Sequence, residues 1–579
     1  MRRLRWLLTL AILAGVSSLA PSTRASANAR AQAPRSNLLL VTFDTLRADR
    51  VTEKLMPALS ALSARGTRFE RVYTHTPLTL PSHTSILTGL LPPAHGVRNN
   101  GFRLDDSVVT LAELLADAGY RTGAFVGASA LDARFGLSQG FDEYDDRYDP
   151  LQEPSASTAF RQGARPASTV LDAASSWIAG QREPWFAWTH LRDAHAPYAS
   201  YDLAVASADA ALHAFLSSPA RQDVFSRTVI VITGDHGESL SEHGERTHGV
   251  FAYEATMRVP LILAGPGVPQ RVVRTPSVSH VNIVPTVLDL LGVGPRAFDG
   301  DSLTQAMRGE AIEERPIYFE ALDPALMRGG APLTGVVAGR WKYIDLPVPE
   351  LYDVVSDPRE HTNLAATDPT RVTTLRDTTV KLRTRASRAD VAVTLAEPEA
   401  RARLRSLGYV GSASWRLGPS RIEDDPKRLL PLHLLYEAAL AMAGSDPEGA
   451  ITQLRLIVGQ RPDFAAAVDA MAALLIAQGR GKDAIALLSD ARAGGLRHRV
   501  LAERLAAALL ATKDPRGAAA TLKPVVDTDG AAVDARFLLA RAFSAIGDVA
   551  SAIAQLEAAL QIDPTFAAAS DLLDRLKKR

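Results

Sequence analysis

Five short runs of almost wholly apolar residues recur between about residues 36 and 267, with helix-like spacing between them. These runs occupy residues 37–44, 122–127, 185–189, 228–233 and 259–264. Strands that are buried on both faces have this continuous apolar character, and their alternation with helices is the pattern of βαβ units. The sequence therefore predicts an α/β fold built on a doubly wound, mostly parallel sheet.

Beyond about residue 315 the pattern changes to shorter β-like pieces, at residues 317–320 and 336–344. Short strands without intervening helices indicate a small α+β subdomain that packs on the first unit. We predict an α/β domain at residues 36–310, the small subdomain at 311–365 and a charged connector at 366–430.

The last part of the chain, residues 431–579, is rich in Ala and Leu and repeats at a fixed interval. Ala450, Ala484, Ala518 and Ala552 follow one another at steps of 34 residues. This is the period of a helix-turn-helix solenoid, and the segment resembles about four tetratricopeptide repeats. An ordinary helical bundle is the alternative. Such solenoids bind proteins or peptides along a concave face, so the sequence predicts a partner of that kind.

The N-terminal residues have the pattern of a cleaved signal peptide at residues 1–27. A basic start at 1–5 precedes an apolar run at about 6–20, and Ala25-Ser26-Ala27 offers a cleavage site. The apolar run is shorter than the roughly 20 residues that a membrane-spanning helix needs. We therefore predict export to the periplasm or medium, with a retained anchor as the alternative and no membrane span after cleavage.

Composition limits the chemistry that the chain can use. There are no cysteines, so disulfides and thiolate metal ligands are excluded, and any metal must be held by oxygen and nitrogen atoms. The 64 basic and 64 acidic residues balance. Nothing in the overall charge indicates nucleic acid as a partner.

Polar side chains follow three of the predicted strands. Asp44 ends the first, Asp193 and His195 follow the third, and Asp235 and His236 follow the fourth. Ligand sites in open parallel sheets form beyond the carboxyl ends of the strands, so we expect these residues to meet at one edge. Each aspartate alone has a simpler explanation, as a helix cap or turn residue.

Residues 77–89 place Thr79 just ahead of a predicted helix whose first turn contains Pro81. Free backbone amides and the helix dipole favour an anion there, and a hydroxyl beside a metal is activated for nucleophilic attack. The alternative is that Thr79 and Ser82 only cap the helix.

These residues resemble the sulfatase family of the alkaline phosphatase superfamily. Thr79-x-Pro81-Ser82-His83, followed by Leu87-Thr88-Gly89, is similar to the family signature of Cys or Ser, x-Pro-Ser-Arg and a later Leu-Thr-Gly. Further similar segments follow in the family's order across residues 36–411: Asp44-Thr45-Leu46-Arg47, Gly234-Asp235-His236-Gly237-Glu238, Arg258-Val259-Pro260-Leu261 and Glu350-Leu351-Tyr352-Asp353.

The resemblance implies a set of site residues. Asp44, Asp235 and His236 would hold one divalent metal, with Thr79 completing the ligands. Carboxylates with one imidazole favour zinc or manganese, with calcium as the alternative ion. By resemblance, His195 and His248 match positions that contact the ester anion or protonate the leaving group.

Other candidate residues leave alternatives open. Asn99 and Asn100 follow the helix of Thr79, where they either donate an amide to the oxygens of the transferred group or form a plain turn. Asp193 is a candidate substrate-binding residue. A second metal site built from Asp193, His195, His243 and His248 is the alternative arrangement.

Three positions depart from the family pattern. Family sulfatases oxidise the Cys or Ser to formylglycine, but the β-carbon of Thr79 carries a methyl group and cannot become an aldehyde. Thr79 is similar instead to the threonine nucleophile of nucleotide pyrophosphatases. His83 replaces the arginine that positions the nucleophile, and Thr45 replaces the second aspartate of a metal-binding pair.

The sequence thus predicts a metal-dependent hydrolase of charged esters with Thr79 as nucleophile. Phosphate or phosphonate esters are favoured, since a dianionic phosphoryl group suits an alcohol nucleophile and a metal. Hydrolysis of sulfate esters through unmodified Thr79 is the first alternative. The second is an inactive scaffold that binds partners through its repeats.

Overall fold

The structure is a computed structural model. It describes residues 35–147, 165–196, 198–294, 296–386, 394–395, 420–528, 532–562 and 566–578. The predicted signal peptide, residues 1–27, lies outside the described residues. No helix in the described part of the chain combines the length and the apolar character that crossing a membrane requires.

A nine-stranded mixed sheet forms the centre of the first domain. Its strands are β1 (Asn37–Phe43), β2 (Thr67–Tyr73), β4 (Arg121–Val126), β5 (Glu143–Asp145), β6 (Trp185–Leu191), β7 (Thr228–Gly234), β8 (Arg258–Ala264), β9 (Arg271–Val273) and β10 (Val278–Ser279). The order is β10-β2-β8-β7-β1-β6-β4-β5, with β9 also paired to β2. Only β8 runs antiparallel to its neighbours, so the predicted mostly parallel sheet is confirmed.

Helices cover both faces of this sheet. They are α1 (Pro57–Arg65), α2 (Thr79–Thr88), α3 (Pro92–His95), α4 (Leu111–Asp117), α5 (Ala167–Ala179), α6 (Tyr201–Leu216), α7 (Gln222–Ser226), α8 (Glu254–Met257), α9 (Ile283–Leu290) and α10 (Thr304–Arg308). Alternate residues of β1 enter different cores: Leu38 and Leu40 pack on the face of α2, α4 and α9, whereas Leu39 and Val41 pack on the face of α1, α5 and α6. Because both faces are buried, five of the seven residues of the strand are apolar.

A four-stranded antiparallel sheet forms the small subdomain, as the sequence predicts. Its strands are β11 (Ile317–Ala321), β12 (Leu333–Ala338), β13 (Trp341–Asp345) and β14 (Glu350–Asp353), with α11 (Asp323–Met327) after the first. Helix α12 (Pro369–Ala386) lies in the predicted connector but packs on this sheet, where Val372 and Leu375 bury against Val336 and Tyr343. A further two-residue pairing joins β3 (Phe102–Arg103) to β15 (Thr394–Leu395).

The C-terminal region is all α-helical and consists of consecutive antiparallel hairpins. Its helices are α13 (Pro426–Met442), α14 (Pro447–Gln460), α15 (Ala465–Ala477), α16 (Gly481–Ala493), α17 (Arg499–Ala511), α18 (Pro515–Thr528), α19 (Val533–Ile546), α20 (Val549–Ile562) and α21 (Ala567–Lys577). The four alanines at steps of 34 residues all lie on the second helix of a hairpin and are fully buried. A side chain this small lets the paired helices approach closely, which confirms the predicted solenoid.

The solenoid packs on α11 of the small subdomain. Leu326 and Met327 share a buried core with Tyr436 and Phe464, and Nε2 of His498 lies 3.2 Å from the carbonyl oxygen of Leu326. This interface between the repeats and α11 is mainly apolar.

Candidate active site

Three neighbouring strands bring polar side chains to one edge of the large sheet. In the parallel register, Thr42 of β1 pairs with His190 of β6, and Phe43 pairs with Gly234 of β7. Asp44 and Asp235 are the next residues after β1 and β7. The strand ends therefore meet where the sequence predicts, and His190 joins them.

Asp44, Asp235 and His236 form a group that could hold a metal ion, with one ligand atom of each within 4.8 Å of the others. Nε2 of His236 lies 3.5 Å from Oδ2 of Asp235 and 3.8 Å from Oδ1 of Asp44. All three side chains are at most 1% exposed. The structure thus brings together the three protein ligands that the family resemblance implies.

Hydrogen bonds from the backbone fix the orientation of these ligands. Oδ1 of Asp235 accepts from the backbone amides of Thr45, at 3.0 Å, and His236, at 2.7 Å. Nδ1 of His236 donates to the carbonyl oxygen of Gly237 at 2.9 Å, which places the lone pair of the neutral ring on Nε2. Each ligand therefore presents a free electron pair to the same point.

Buried polar groups in proteins are usually hydrogen-bonded to other protein groups. Here both carboxylate oxygens of Asp44, Oδ2 of Asp235 and Nε2 of His236 have no hydrogen-bond partner among the described residues outside their own group. An all-acceptor cluster of this kind, with two carboxylates and no cationic side chain in contact, fits a divalent metal.

The pKa values of the two aspartates also indicate that these buried carboxylates lack a compensating positive charge among the described residues. Burial raises the pKa of Asp44 to about 7, although the positive charge of Arg192 opposes the shift. Burial and then the charge of Asp44 raise the pKa of Asp235 well above its usual 3.8. Two buried carboxylates cannot both ionise cheaply unless a positive charge joins them.

Thr79 is the first residue of α2 and is 2% exposed. The sequence predicts it just ahead of the helix, so the helix begins one residue earlier than expected. Asn100 Oδ1 accepts from the backbone amide of Leu80 at 3.0 Å, whereas Asn100 Nδ2 has no partner among the described residues. One amide N–H thus remains available beside the start of α2.

His83 lies one turn along α2 and connects Thr79 to the strand ends. Its Nδ1 donates to the carbonyl oxygen of Thr79 at 2.8 Å, and its Nε2 accepts from the hydroxyl of Thr42 at 2.9 Å. Burial lowers the pKa of His83 to about 3, so the ring is neutral. Nδ1 is also 3.6 Å from Oδ2 of Asp235. His83 therefore holds the first turn of α2 against the aspartates without contributing a charge.

His248 and His195 form a row of rings with the predicted ligand His236. The ring centroid of His248 lies 4.5 Å from that of His236 and 5.1 Å from that of His195. Nδ1 of His248 is 3.0 Å from Oε1 of Glu238, which is fully buried. Burial lowers the pKa of His248 to about 3 and raises that of Glu238 well above its usual value. Both shifts favour neutral partners, in which the carboxyl O–H donates to Nδ1 and leaves an N–H on Nε2.

Arg192 supplies positive charge next to this row. Its Nη2 lies 3.1 Å from Nδ1 of His195, whose N–H donates to the carbonyl oxygen of Ala196 at 2.5 Å. Burial, and then the charge of Arg192, lowers the pKa values of His195 and His248. Arg192 itself is half-buried. A fixed cation there suits an anionic substrate group.

Three of the predicted residues are engaged elsewhere. Asp193 Oδ2 accepts from the backbone amide of Ala167 at 2.8 Å and so caps α5. Asn99 Nδ2 donates to Asp323 at 3.2 Å. His243 stacks on Tyr253 at 3.6 Å.

These contacts bear on the alternative of a second metal. The two groups of possible metal ligands in the described part of the chain are Asp44 with Asp235 and His236, and His83 with His190 and Asp235. Neither contains Asp193, His195, His243 or His248. Because two of its members have other partners, at a helix terminus and on an aromatic ring, the described residues give no support to that alternative arrangement.

Two parts of this chain match models of known protein families. A family model described as sulfatase matches residues 36–293, and one described as N-sulphoglucosamine sulphohydrolase, C-terminal, matches residues 242–386. The catalytic region of this chain belongs to the sulfatase family. As a member of this family, the region is an ester hydrolase. A tetratricopeptide repeat model matches residues 509–576 of the solenoid.

Individual relatives of this sulfatase-family hydrolase are distant. Choline-sulfatase of Rhizobium meliloti is 25% identical over 428 residues, which cover 57% of this chain and 82% of the relative. Arylsulfatase K of Homo sapiens is 24% identical over 469 residues, covering 63% and 85%.

Among solved structures, a 2-O GAG sulfatase has a TM-score of 0.51 at 20% identity, covering 63% of this chain and 96% of that one. Phosphonate monoester hydrolase of Agrobacterium radiobacter has a TM-score of 0.50 at 19% identity, covering 61% and 96%. At these identities the solved structures establish a shared fold.

The sequence-based prediction missed three residues of the sulfatase-family site: His190, Arg192 and Glu238. His190 ends an apolar strand, and a histidine at such a fully buried position is a usable sign of a ligand. Arg192 precedes two residues that were singled out, and Glu238 closes the motif that begins at Gly234. His190 contacts Asp44 from a different strand, so spacing along the chain could not assign it. Arg192 and Glu238 contact His195 and His248 within the same loops, so their positions next to the predicted residues were a usable signal.

Proposed function

We propose that this sulfatase-family enzyme hydrolyses phosphate or phosphonate esters, with the hydroxyl of Thr79 as nucleophile and a bound divalent metal. One observation carries the proposal. Two carboxylates and an imidazole with unpaired acceptor atoms converge beside a helix whose first residue is an alcohol. That combination suits in-line attack on a charged ester.

The nucleophile favours phosphorus over sulfur. The formylglycine aldehyde of family sulfatases cannot form at Thr79, whose β-carbon bears a methyl group. An unmodified hydroxyl must attack directly, and a phosphoryl centre accepts an alkoxide while giving a phosphothreonine that water then cleaves. Phosphonate monoester hydrolase shares the fold, so the scaffold is compatible with phosphorus chemistry.

Asp44, Asp235 and His236 would hold the metal, with zinc or manganese favoured over calcium. When bound, such a cation lowers the pKa of a neighbouring hydroxyl and neutralises charge on the transferred group. Their unpaired buried acceptors support this assignment.

The other residues divide the remaining tasks. The Thr79 hydroxyl releases its proton to water, and its Oγ then forms the bond to phosphorus while the bond from phosphorus to the leaving oxygen breaks. Nε2–H of His248 donates a proton to that oxygen, and Nδ1 takes one from the Glu238 carboxyl, so the ring ends neutral. Arg192 and His195 bind the anionic substrate, and Asn100 Nδ2 donates to an oxygen of the transferred group.

His83 acts as a positioning residue. It holds the Thr79 carbonyl and so the first turn of α2, in place of the arginine of the family pattern. The aligned amides of that turn face the substrate's negative charge.

An ester panel tests this function. Purified protein loaded with zinc, manganese or calcium is assayed on nitrophenyl phosphate, a phosphate diester, a phosphonate monoester and nitrophenyl sulfate. We expect phosphorus substrates to have the higher kcat/KM. A higher value for the sulfate would favour the alternative, a sulfatase that acts through unmodified Thr79.

Thr79→Ala should lower kcat by at least about 10³-fold, and Thr79→Ser should retain part of the activity because it keeps the hydroxyl. Thr84→Ala is the matched control, since that hydroxyl lies on the same helix and donates to the Leu80 carbonyl at 2.8 Å. Rates of Thr79→Ala and the parent that are both at background level would support the remaining alternative, an inactive scaffold.

The repeats and the N-terminus extend the proposal. Tetratricopeptide repeats commonly bind proteins. We therefore propose a protein or peptide partner for the solenoid. Export is proposed from residues 1–27. Cell fractionation of the full chain and of a chain lacking those residues tests it, with loss of the exported pool as the expected result.

A further inference from the structure

His190 lies in the site, but the steps proposed above give its buried side chain no task. It lies at the end of β6, paired in register with Thr42 of β1, and is fully buried. Neither ring nitrogen has a hydrogen-bond partner among the described residues. A buried imidazole without partners is costly, so its presence calls for a ligand.

The position of this ring matches that of a metal ligand. Nε2 of His190 lies 3.7 Å from Oδ2 of Asp44, and a ring nitrogen of His190 lies within 4.8 Å of a carboxylate oxygen of Asp235. Two atoms bound to one zinc ion at about 2.1 Å are about 3.4 Å apart at the tetrahedral angle. The separations of 3.5 and 3.8 Å from His236 to the same aspartates are similar.

His83 lies equally close but has no lone pair to offer. Its Nδ1 carries the proton donated to the Thr79 carbonyl, and its Nε2 lone pair accepts the Thr42 hydroxyl. The two histidines meet edge to face, with centroids 4.9 Å apart. Only His190 of the two therefore presents an unused nitrogen to the aspartates.

Thr45 explains why an additional ligand is needed. It occupies the position where the family pattern has a second aspartate. Its hydroxyl donates to the carbonyl oxygen of Ala194 at 2.8 Å, and its backbone amide is used by Asp235. The residue thus contributes no ligand atom, and the site is one carboxylate short.

We propose that His190 is a metal ligand, and that Asp44, Asp235, His236 and His190 together form a site with two carboxylates and two imidazoles. This inference rests on the metal site of the proposed function and deepens it. Imidazole suits zinc and other transition metals, whereas calcium takes oxygen ligands. The exchange of a carboxylate for an imidazole therefore selects a zinc-type ion over calcium.

X-ray absorption of the zinc-loaded full-length protein tests the proposal without an activity assay. Imidazole rings give characteristic multiple scattering, so the spectrum counts them. We expect two imidazoles in the parent and one in His190→Ala. One imidazole in the parent, or two in both proteins, would overturn the proposal.

Zinc affinity, measured by competition with a chromophoric chelator, gives a second readout. Loss of a residue that hydrogen-bonds to a metal ligand typically weakens metal affinity about 10–100-fold. Loss of a ligand itself should therefore weaken zinc affinity by more than about 100-fold. Affinity of His190→Ala within about threefold of the parent would contradict the assignment. Calcium should compete only weakly in the parent.

Two variants serve as controls. His83→Gln should keep two imidazoles at the zinc ion, because its ring is not a ligand; loss of one there would assign the ion to His83 instead. His95→Ala removes another fully buried imidazole, which contacts Ser85, and should leave zinc affinity unchanged. If His190→Ala does not fold, the parent and His83→Gln spectra still decide the question.

The outcome is separable from that of the proposed function. Two imidazoles in a protein that hydrolyses no ester would leave His190 a ligand and remove the catalytic proposal. A single imidazole in an active phosphoesterase would do the opposite.

Discussion

Replacing Asp44 by Asn should stabilise the metal-free protein at neutral and alkaline pH, although it removes a residue of the site. Asp44 is 1% exposed and faces the carboxylate of Asp235, and no cationic side chain of the described residues bonds to either. Without a metal, ionising both carboxylates is opposed by burial and by their mutual repulsion. An amide at position 44 removes one of the two charges.

The size and pH window follow from the pKa of Asp44. Its folded-state pKa is about 7 against an ordinary 3.8, which corresponds to roughly 4 kcal/mol when the group is ionised. Because the folded pKa is the higher one, the folded protein retains a proton that the unfolded chain has lost. Stability of the metal-free parent therefore falls as the pH rises from about 4 to about 7.

In Asp44→Asn the free energy of unfolding should decrease less as the pH rises. We expect a gain of about 2–4 kcal/mol above pH 7, allowing for an amide that still lacks a partner, and no gain below pH 4. Urea unfolding of chelator-treated protein at pH 4, 6 and 8 measures it. In the presence of zinc the order should reverse, because the parent binds the ion more tightly.

Asp469→Asn is a control of opposite sign. Asp469 is also buried, but its Oδ2 accepts from Arg504 at 2.8 Å. Loss of that charge should destabilise the protein at pH 8. A metal-free Asp44→Asn protein that is less stable than the parent at pH 8 would refute the electrostatic reasoning and the case for a cation site with it.

Other predictions test separate parts of the fold. Burial raises the pKa of Glu245 to about 8, so wild-type stability should fall as the pH rises from about 4.5 to 8, and Glu245→Gln should flatten that slope in thermal unfolding scans. Lys342 lies between Glu254, at 3.2 Å, and Glu360, at 2.9 Å, and Lys342→Met should cost about 3–5 kcal/mol in urea unfolding at pH 8; a change below about 1 kcal/mol would contradict a buried ion network. Ala518→Leu should lower the free energy of unfolding by about 1–3 kcal/mol, since the alanine is fully buried between paired helices, whereas a neutral effect would argue against close packing at the repeat position.

The sequence determined the fold class because its information is local and periodic. Apolar runs without polar interruptions require strands covered on both faces, and β1 shows this in the alternation of Leu38 and Leu39 between two cores. Likewise, alanines at steps of 34 residues required helices in close contact. The predicted domain limits were less certain, because α12 lies in the charged connector yet packs on the small sheet through only a few apolar side chains.

The candidate site was accessible to sequence reasoning only as a set of residues near one sheet edge. Asp44, Asp235 and His236 follow strands, so the parallel register brings them together wherever those strands neighbour one another. Their metal binding and the role of Thr79 stay predictions, tested by the experiments above.

Tertiary structure decided which electron pairs and protons face the site. His83 and His190 are both buried beside Asp235, but Thr79 and Thr42 use both nitrogens of His83, while neither nitrogen of His190 has a partner in the described part of the chain. Asp193 instead accepts a hydrogen bond from a backbone amide at the start of α5. Sequence thus specified the elements and their apolar faces, which depend on neighbours along the chain. The orientation of each polar side chain depends on partners far away in sequence, and only the folded arrangement supplies them.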